Sequence, residues 1–311
     1  MDNQSLRDGF GLGLLKAAQK NPKIVALSAD LSDSCRLTLF KKEFPQRFFQ
    51  IGIAEQNMIG IAAGLALEGK IPFTASFAIF SPGQNWAQIR LSVCYQNTNV
   101  KIIGSHSGVQ TGPDGATHQG IEDIALTRCL PNMTVIAPAD ALEAEKATLA
   151  IAEHQGPCYL RLTNSKTPQI TKSQDPFIIG QAQIITKGQD ITLIACGPII
   201  NEALKARKAL KSQNISLEII NLSTIKPLDK QTILKSVSKT QKLITLEDHQ
   251  IMGGMGSAVI EMLSQNYPVP VRMIGIQDQF GQSGQADELW HEYGIDSPAI
   301  QTAVKKVLSR K

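Results

Sequence analysis

Cysteines and long apolar runs are both scarce in this chain of 311 residues. The five cysteines are scattered, odd in number and without a CxxC pair, which indicates a reducing compartment and argues against a zinc site. Because no run of about 18 apolar residues is present, the sequence predicts no membrane-spanning helix. The start, MDNQSLRDGF, lacks the apolar stretch of a secretory signal. We therefore expect a cytoplasmic protein with no membrane as partner.

The chain also lacks a strong excess of either charge. Lysine and arginine number 31 against 27 acidic residues, a net charge of +4, and only a small basic cluster stands at the C-terminus. Nucleic acid is therefore not an expected partner. A hydrophobic content of 42% and a charged content of 19% are ordinary for a globular chain, and the length allows two domains. Composition alone names no reaction.

Short apolar runs rich in β-branched residues alternate with helical patterns, which predicts mostly parallel sheets covered by helices. A polar stretch with two prolines at 163–176 interrupts this pattern as a linker would. The sequence predicts an α/β fold of two doubly wound domains, residues 1–168 and 186–311, joined by a linker at 169–185. Predicted strands are 24–27, 48–53, 72–77, 100–104, 134–137, 159–162, 191–195, 217–221, 243–247 and 271–276. Predicted helices include 83–95 and 139–152.

One segment, IGIAEQNMIGIAAG at 51–64, places a single carboxylate, Glu55, between a short apolar strand and a helix rich in glycine and alanine. A buried carboxylate at such a junction can hold a hydrogen bond to a protonated ring nitrogen in a low-dielectric pocket. The small residues that follow would let a flat ring or another backbone approach closely. An acidic residue that merely favours the dipole in the first turn of a helix is the alternative, and the segment alone leaves both open.

A second segment, GSHSGVQTGPDGATHQG at 104–120, carries His106, Asp114 and His118 directly after an apolar run. Polar residues in a glycine-rich loop after a strand are typical of a site at the carboxyl edge of a parallel sheet. A turn with solvated histidines would explain the glycines and Pro113. It would not explain why both histidines flank the same turn.

Together the two segments resemble the transketolase family of thiamine diphosphate enzymes. IAEQNM is similar to that family's catalytic-glutamate motif, and GPDGATHQG is similar to its substrate-loop motif. Three further segments follow in the family's order, namely SADL at 28–31, SFAIF at 76–80 and EDHQIMGGMGSAVIEML at 247–263. Several ordered motifs are more specific than one. The resemblance covers nearly the whole chain and implies a pyrimidine-binding domain followed by the family's C-terminal domain.

The resemblance implies how the cofactor, thiamine diphosphate, is held and activated. Glu55 matches the glutamate that hydrogen-bonds the aminopyrimidine ring and favours the tautomer whose nitrogen takes the thiazolium C2 proton, so the protein tunes the cofactor's own base. Phe80 resembles the aromatic that stacks on the pyrimidine, with Phe77 close by, although ordinary core packing is the alternative for both. Asp30 matches an aspartate near the cofactor and the dimer contact.

A substrate channel is implied as well. His118 matches the histidine that faces the donor's first hydroxyl and carbonyl, and Asp114 matches the residue that reads the hydroxyl next to the reacting carbon. The expected catalytic residues are Glu55, His118 and His106. Arginine suits phosphate because its fork of donors matches phosphate oxygens. The positions expected to bind a sugar phosphate are Arg7, Ser34, His106 and Arg161. Only spacing to the SADL segment supports Arg7, for which a solvated arginine is the alternative.

The family holds the diphosphate through Mg²⁺ in a separate N-terminal domain with a GDG segment and a downstream asparagine. Here the similar string, PDG at 113–115, belongs to the substrate loop, and no segment precedes the pyrimidine-type domain. We therefore expect the second, C-terminal subunit of a split transketolase, with no metal of its own, in an α2β2 heterotetramer whose N-terminal-type subunit holds Mg²⁺. The expected reaction transfers a two-carbon ketol unit from a ketose or its phosphate to an aldose or its phosphate, as in pentose phosphate metabolism.

Three other readings stay open. A 1-deoxyxylulose-5-phosphate synthase is normally one chain, and its loop usually lacks a histidine where His106 stands. A 2-oxoacid dehydrogenase beta subunit is naturally split, but the DGATHQ and EDH strings are more similar to transketolase. A non-catalytic regulatory relative is disfavoured because the chemical residues are retained, namely Glu55, His106, Asp114, His118 and Arg161.

Overall fold

The structure, a computed structural model, describes residues 3–309. Arg310 and Lys311 of the C-terminal basic cluster lie outside the described residues, as do Met1 and Asp2. The elements of the first half are β1 (Gln4–Ser5), α1 (Leu6–Lys20), β2 (Ile24–Ser28), α2 (Thr38–Glu43), β3 (Phe48–Gln50), α3 (Glu55–Leu67), β4 (Ile71–Phe77), α4 (Trp86–Gln88), β5 (Lys101–Ser105), α5 (Asp123–Arg128), β6 (Thr134–Ile136), α6 (Ala141–Glu153), β7 (Cys158–Arg161) and β8 (Lys166–Thr167). Those of the second half are β9 (Gln183–Thr186), β10 (Ile191–Ala195), α7 (Ile200–Lys211), β11 (Leu217–Asn221), β12 (Thr224–Lys226), α8 (Lys230–Thr240), β13 (Leu243–Gln250), α9 (Met255–Asn266), β14 (Val271–Ile276), α10 (Ala286–Glu292) and α11 (Ser297–Leu308).

Two large sheets organise these elements. The first has seven strands in the order β12-β6-β7-β5-β4-β2-β3, all parallel to their neighbours except β12. The second has five strands in the order β14-β13-β10-β11-β9, all parallel except β9. The prediction of an α/β fold with two mainly parallel sheets is therefore confirmed. Within residues 3–309, no helix combines the length and apolar character needed to cross a membrane.

Central strands and helix starts follow from local sequence. Strands β2, β4 and β10 are buried at every position, which is why they are continuous apolar runs rather than alternating ones. Helix α6 begins after Asp140, whose side chain accepts a hydrogen bond from the backbone N–H of Glu143 at 2.8 Å. The same carboxylate accepts from the N–H groups of Ile170 and Thr171, at 2.7 and 2.5 Å. The side chain that caps α6 therefore also holds Ile170 and Thr171, at the start of the predicted linker, against the first domain.

Glycines in α1 let that helix pack closely on α6. A Cβ atom on Gly9 would lie 1.9 Å from the carbonyl oxygen of Ala141, and one on Gly13 would lie 2.8 Å from that of Glu145. No side chain fits these two positions without separating the helices. The glycine-rich start of the chain therefore serves helix packing.

The structure departs from the sequence prediction at short or irregular elements. Strand β12 was not predicted because three residues carry too little pattern, yet it adds an antiparallel edge to the first sheet from the second half of the chain. Strand β9, which begins at Gln183 inside the predicted linker, was also missed. The helix predicted at 83–95 is α4 continued by a π-helical segment, Ile89–Tyr95. The domain limits themselves remain a prediction.

Candidate active site

The candidate site lies at the carboxyl edge of the first sheet, where the loops after β2, β4 and β5 meet the start of α3. Because β2, β4 and β5 are parallel neighbours, their carboxyl ends share one edge. Side chains that follow different strands therefore converge there, as the general rule for open α/β sheets requires. We call residues 106–118, which follow β5, the histidine loop.

Glu55 is the first residue of α3 and is buried, with 5% of its surface exposed. The hydroxyl of Ser76, on β4, donates to its Oε1 atom at 2.9 Å. Asn85 donates from Nδ2 to the Glu55 carbonyl oxygen at 3.2 Å and to the Ser81 hydroxyl at 3.1 Å. These contacts fix the helix start and one carboxylate oxygen. No described residue donates a hydrogen bond to the other oxygen, Oε2, which can accept one from a ligand.

Four aromatic rings from two loops form a continuous cluster. Phe77 and Phe80 stack with 6.0 Å between centroids, and the centroids of Phe77 and His106 are 3.7 Å apart. His118 meets the edge of Phe80 at 5.6 Å. The cluster joins the end of β4 to both ends of the histidine loop. It gives the site an aromatic wall, in which the His118 ring stands at 81° to that of Phe80, and it brings together the two histidines and two phenylalanines expected there.

His106 is buried and takes a left-handed backbone conformation with φ of 53°. Its Nδ1 atom lies 2.9 Å from the Ser105 hydroxyl, and its Nε2 atom lies 3.3 Å from Nη1 of Arg7. Because a guanidinium can only donate, Nε2 must accept and the proton belongs on Nδ1. Burial, followed by the positive charges of Arg7 and Arg36, lowers the pKa of His106 to about 3. His106 is therefore a neutral ring of fixed tautomer.

Arg7 contacts both His106 and Ser34, which brings together three of the residues expected to bind a sugar phosphate. Arg7 donates from Nη1 to the carbonyl oxygen of Ser34 at 2.8 Å and from Nη2 to that of Asn164 at 3.2 Å. The Nε atom of Arg7 is buried without a hydrogen-bond partner among the described residues, and so is Oδ1 of Asn164. Asn164 was missed, although its place three residues past the end of β7 was a usable signal. The polar atoms at this end of the site therefore have unused hydrogen-bonding capacity among the described residues.

The remaining predicted residues stand at the rim. Asp114 is exposed at the end of a 3₁₀ helix, Val109–Asp114, and His118 is half-buried with Nδ1 3.0 Å from the Thr117 hydroxyl. Asp30 is exposed after β2, where its N–H donates to Oε1 of Gln50 at 2.8 Å. The structure places Asp30 at the same sheet edge without joining it to the aromatic cluster.

The contacts of Arg161 require a correction to its expected role in phosphate binding. Its side chain is 3% exposed and donates from Nε to both carboxylate oxygens of Asp123, at 2.8 and 3.1 Å. Its Nη2 atom donates to the carbonyl oxygens of Gly120 and Asp248, at 3.3 and 2.8 Å. Burial alone would lower the pKa of Arg161, but the carboxylates of Asp123 and Asp248 raise it. The charge is already neutralised inside the protein, where a phosphate does not reach it.

Comparison with known proteins agrees with this architecture. The family model described as the transketolase pyrimidine-binding domain matches residues 2–169, and the model of the transketolase C-terminal domain matches residues 180–300. The 6-deoxy-6-sulfo-D-fructose transketolase subunit SqwH of Clostridium sp. (strain MSTE9) is 40% identical over 311 residues, which cover 100% of this chain and 97% of that protein. A subunit of the apulose-4-phosphate transketolase of Phocaeicola vulgatus is 37% identical over 303 residues, which cover 97% of each.

A solved structure described as a split gene transketolase, inactive beta4 tetramer, has a TM-score of 0.91 and 40% identity to this chain, covering 99% of both. Both domain models and full-length relatives therefore point to one assignment. The chain belongs to the transketolase family, as a transketolase-type C-terminal subunit that carries the pyrimidine-binding and C-terminal domains.

Proposed function

We propose that this chain, together with an N-terminal-type subunit, transfers a two-carbon ketol unit from a ketose to an aldose with thiamine diphosphate as cofactor. The observation that carries the proposal is the buried carboxylate of Glu55, held on one oxygen by Ser76 and open on the other. A carboxylate in that state accepts a hydrogen bond from a ring N–H group.

The residues present fit the pyrimidine end of the cofactor. The acceptor on Glu55 and the flat apolar face of Phe80, supported by Phe77, match an aminopyrimidine ring, which is both polar at its edge and aromatic. When bound, thiamine diphosphate supplies the carbon nucleophile that accepts the ketol unit. Asp30, at the same edge, is proposed to face the cofactor or the subunit contact. We assign the diphosphate and its Mg²⁺ ion to the partner subunit.

The histidine loop and Arg7 are proposed to bind the sugar. His118 and Asp114 at the rim face the hydroxyls near the reacting carbon. The neutral ring of His106, whose nitrogens contact Ser105 and Arg7, lines the site, while Arg7 and Ser34 bind the distal end of the sugar. Arg7 supplies positive charge for an acidic group such as a phosphate. Arg161 is not included among the substrate ligands.

A subunit contact is proposed beside Glu55, because apolar side chains are exposed there. Ile53 is 86% exposed, Ile61 on α3 is 36% exposed, and Leu91 and Tyr95 on the adjoining π-helical segment are 54% and 84% exposed. An exposed apolar patch of this kind is typical of a protein interface. Two relatives are named as subunits, and the similar solved structure is described as an inactive tetramer of beta chains. We propose an α2β2 heterotetramer, with the five unpaired cysteines fitting the cytoplasm.

Reconstitution tests this function. The purified chain alone should show no ketol transfer, and mixing it with an N-terminal transketolase-type subunit, Mg²⁺ and thiamine diphosphate should produce a new ketose without release of CO₂. Release of CO₂ from pyruvate would instead favour a 1-deoxyxylulose-5-phosphate synthase or a 2-oxoacid dehydrogenase subunit. Full activity of the chain alone would overturn the split-subunit proposal. No turnover with a competent partner, over a range of sugars, would favour a non-catalytic relative.

A further inference from the structure

The histidine loop has little regular structure of its own to hold its two histidines in place. Its helical segment, Val109–Asp114, consists of two short 3₁₀ turns that meet at a kink at Gly112, and Gly108, Gly112 and Gly115 all have positive φ, between 74° and 79°. Glycines at such positions lower the barrier to other backbone conformations. Contacts with residues outside the loop are therefore needed to hold it in one conformation.

The second domain supplies such a contact through Asp248, on β13. Its carboxylate accepts hydrogen bonds from the backbone N–H groups of Val109 and Gln110, at 3.0 and 3.2 Å. These are the first two residues of the 3₁₀ helix, whose N–H groups have no partner within the helix. Asp248 thereby accepts from two N–H groups that have no other partner at the start of the first 3₁₀ turn, which stabilises that turn.

Asp248 is itself held rigidly. Its side chain is 4% exposed, and Nε1 of Trp290, on α10, donates to Oδ2 at 3.1 Å. The backbone oxygen of Asp248 accepts from Arg161 at 2.8 Å. A Cβ atom on Gly108 would lie 2.5 Å from the Asp248 carboxylate, so the loop and the acid are in direct contact. All three donors to the side chain are N–H groups, which favour the ionised carboxylate, whereas burial raises the pKa of Asp248.

The anchor reaches the catalytic end of the loop in one further step. The hydroxyl of Thr111, one residue beyond Gln110, donates to the backbone oxygen of His106 at 2.7 Å. A shift of Val109–Asp114 therefore moves the backbone of His106. The ring of His106, which contacts Phe77 in the aromatic cluster, moves with it.

We propose that Asp248 and Trp290 of the second domain are positioning residues that hold the histidine loop in its productive conformation. The inference rests on the ketol-transfer function proposed above. It gives the second domain a direct part in the reaction although none of its residues needs to touch the cofactor. A misplacement of about 1 Å in a catalytic group can lower the rate by about 100-fold.

The test compares Asp248→Asn and Trp290→Phe with the control Glu143→Gln. Glu143 is another buried carboxylate that joins the two domains, since it accepts from Asn221 at 2.9 Å, but it does not contact the loop. In Asp248→Asn an amide group faces three donors, and its oxygen can accept from only some of them. Trp290→Phe keeps an aromatic ring at the position, although a smaller one, and removes one donor.

Deuterium exchange on the chain alone should show faster uptake at 106–118 in both loop variants and not in the control. In the reconstituted enzyme, kcat/KM should fall by about 100-fold in Asp248→Asn, mainly through kcat, at unchanged affinity for thiamine diphosphate. The proposal is overturned if deuterium uptake at 106–118 is unchanged in the loop variants, or if it rises equally in the control. It is also overturned if a loop variant exchanges faster but keeps the wild-type kcat. If Asp248→Asn does not fold, Trp290→Phe decides by the same criteria. An inactive wild-type pair would refute the ketol-transfer function alone, because the exchange experiment needs no turnover.

Discussion

Replacing Arg161 with glutamine should destabilise the fold rather than weaken phosphate binding selectively. The ion pair with Asp123 is buried on both sides, with 3% and 1% of the side chains exposed. Removing one partner of a buried pair costs about 3–5 kcal/mol, because the other charge is left without compensation. The hydroxyl of Tyr159 still donates to Asp123 at 2.6 Å, which offsets part of that loss. We therefore expect the free energy of unfolding to fall by about 3 kcal/mol, at the lower end of that range.

Chemical denaturation of the chain alone measures this change. Lys16→Gln is the matched control, since Lys16 and Glu145 form an ion pair of similar length, 2.6 Å against 2.8 Å, but are 46% and 18% exposed. The control should lose no more than about 1 kcal/mol. The double variant Arg161→Gln, Asp123→Asn should recover part of the loss, since no buried charge is then left unpaired.

In the reconstituted enzyme, any loss of kcat/KM in Arg161→Gln should be equal for a sugar and its phosphate ester. The reasoning is refuted if the variant loses less than about 1 kcal/mol of stability and discriminates selectively against the phosphorylated member of the pair. Arg161 would then be a phosphate ligand as the sequence first indicated.

Two further predictions concern His106 and the glycines of the helices. The pKa of His106 falls from 6.5 to about 3 on folding, so between these pH values the unfolded state binds a proton that the folded state does not. The free energy of unfolding should therefore fall by about 1.4 kcal/mol per pH unit as the pH drops through that window. Denaturation at several pH values should show a shallower slope in His106→Asn, and an identical slope would contradict the assignment. Gly9→Ala should lower the free energy of unfolding by at least about 1–3 kcal/mol, because its Cβ would lie 1.9 Å from a carbonyl oxygen. Gly60→Ala, at an exposed position of α3 with nothing within 4 Å, should raise the free energy of unfolding by about 0.5–1 kcal/mol. Equal melting shifts for the two alanine variants would refute this packing argument.

The sequence predicted the central strands and the convergence of the site because both depend on local pattern. Runs such as Ile24–Ser28 are buried along their full length, and their carboxyl ends must share an edge in a parallel sheet. The grouping of His106, His118, Phe77 and Phe80 follows from that geometry together with motif order.

What the sequence could not predict depends on residues far apart in the chain. The role of Arg161 is decided by Asp123, which is 38 positions away, and by the backbone of Asp248, which is 87 positions away. The anchoring of Val109 by Asp248 spans 139 positions. Local periodicity carries no information on such pairs, and a strand of three residues such as Thr224–Lys226 carries too little pattern of its own.

The exchange rate of the C2 proton of thiamine diphosphate, measured by NMR in the assembled complex, tests the central role of Glu55 most directly. Glu55→Gln should slow this exchange by at least about 100-fold while leaving the fold and the subunit assembly intact, because an amide cannot replace the carboxylate in activating the cofactor. Glu68→Gln, an exposed change just past the end of the same helix, should leave the exchange rate unchanged. Exchange near the wild-type rate in Glu55→Gln would contradict the proposed mechanism and remove Glu55 from it.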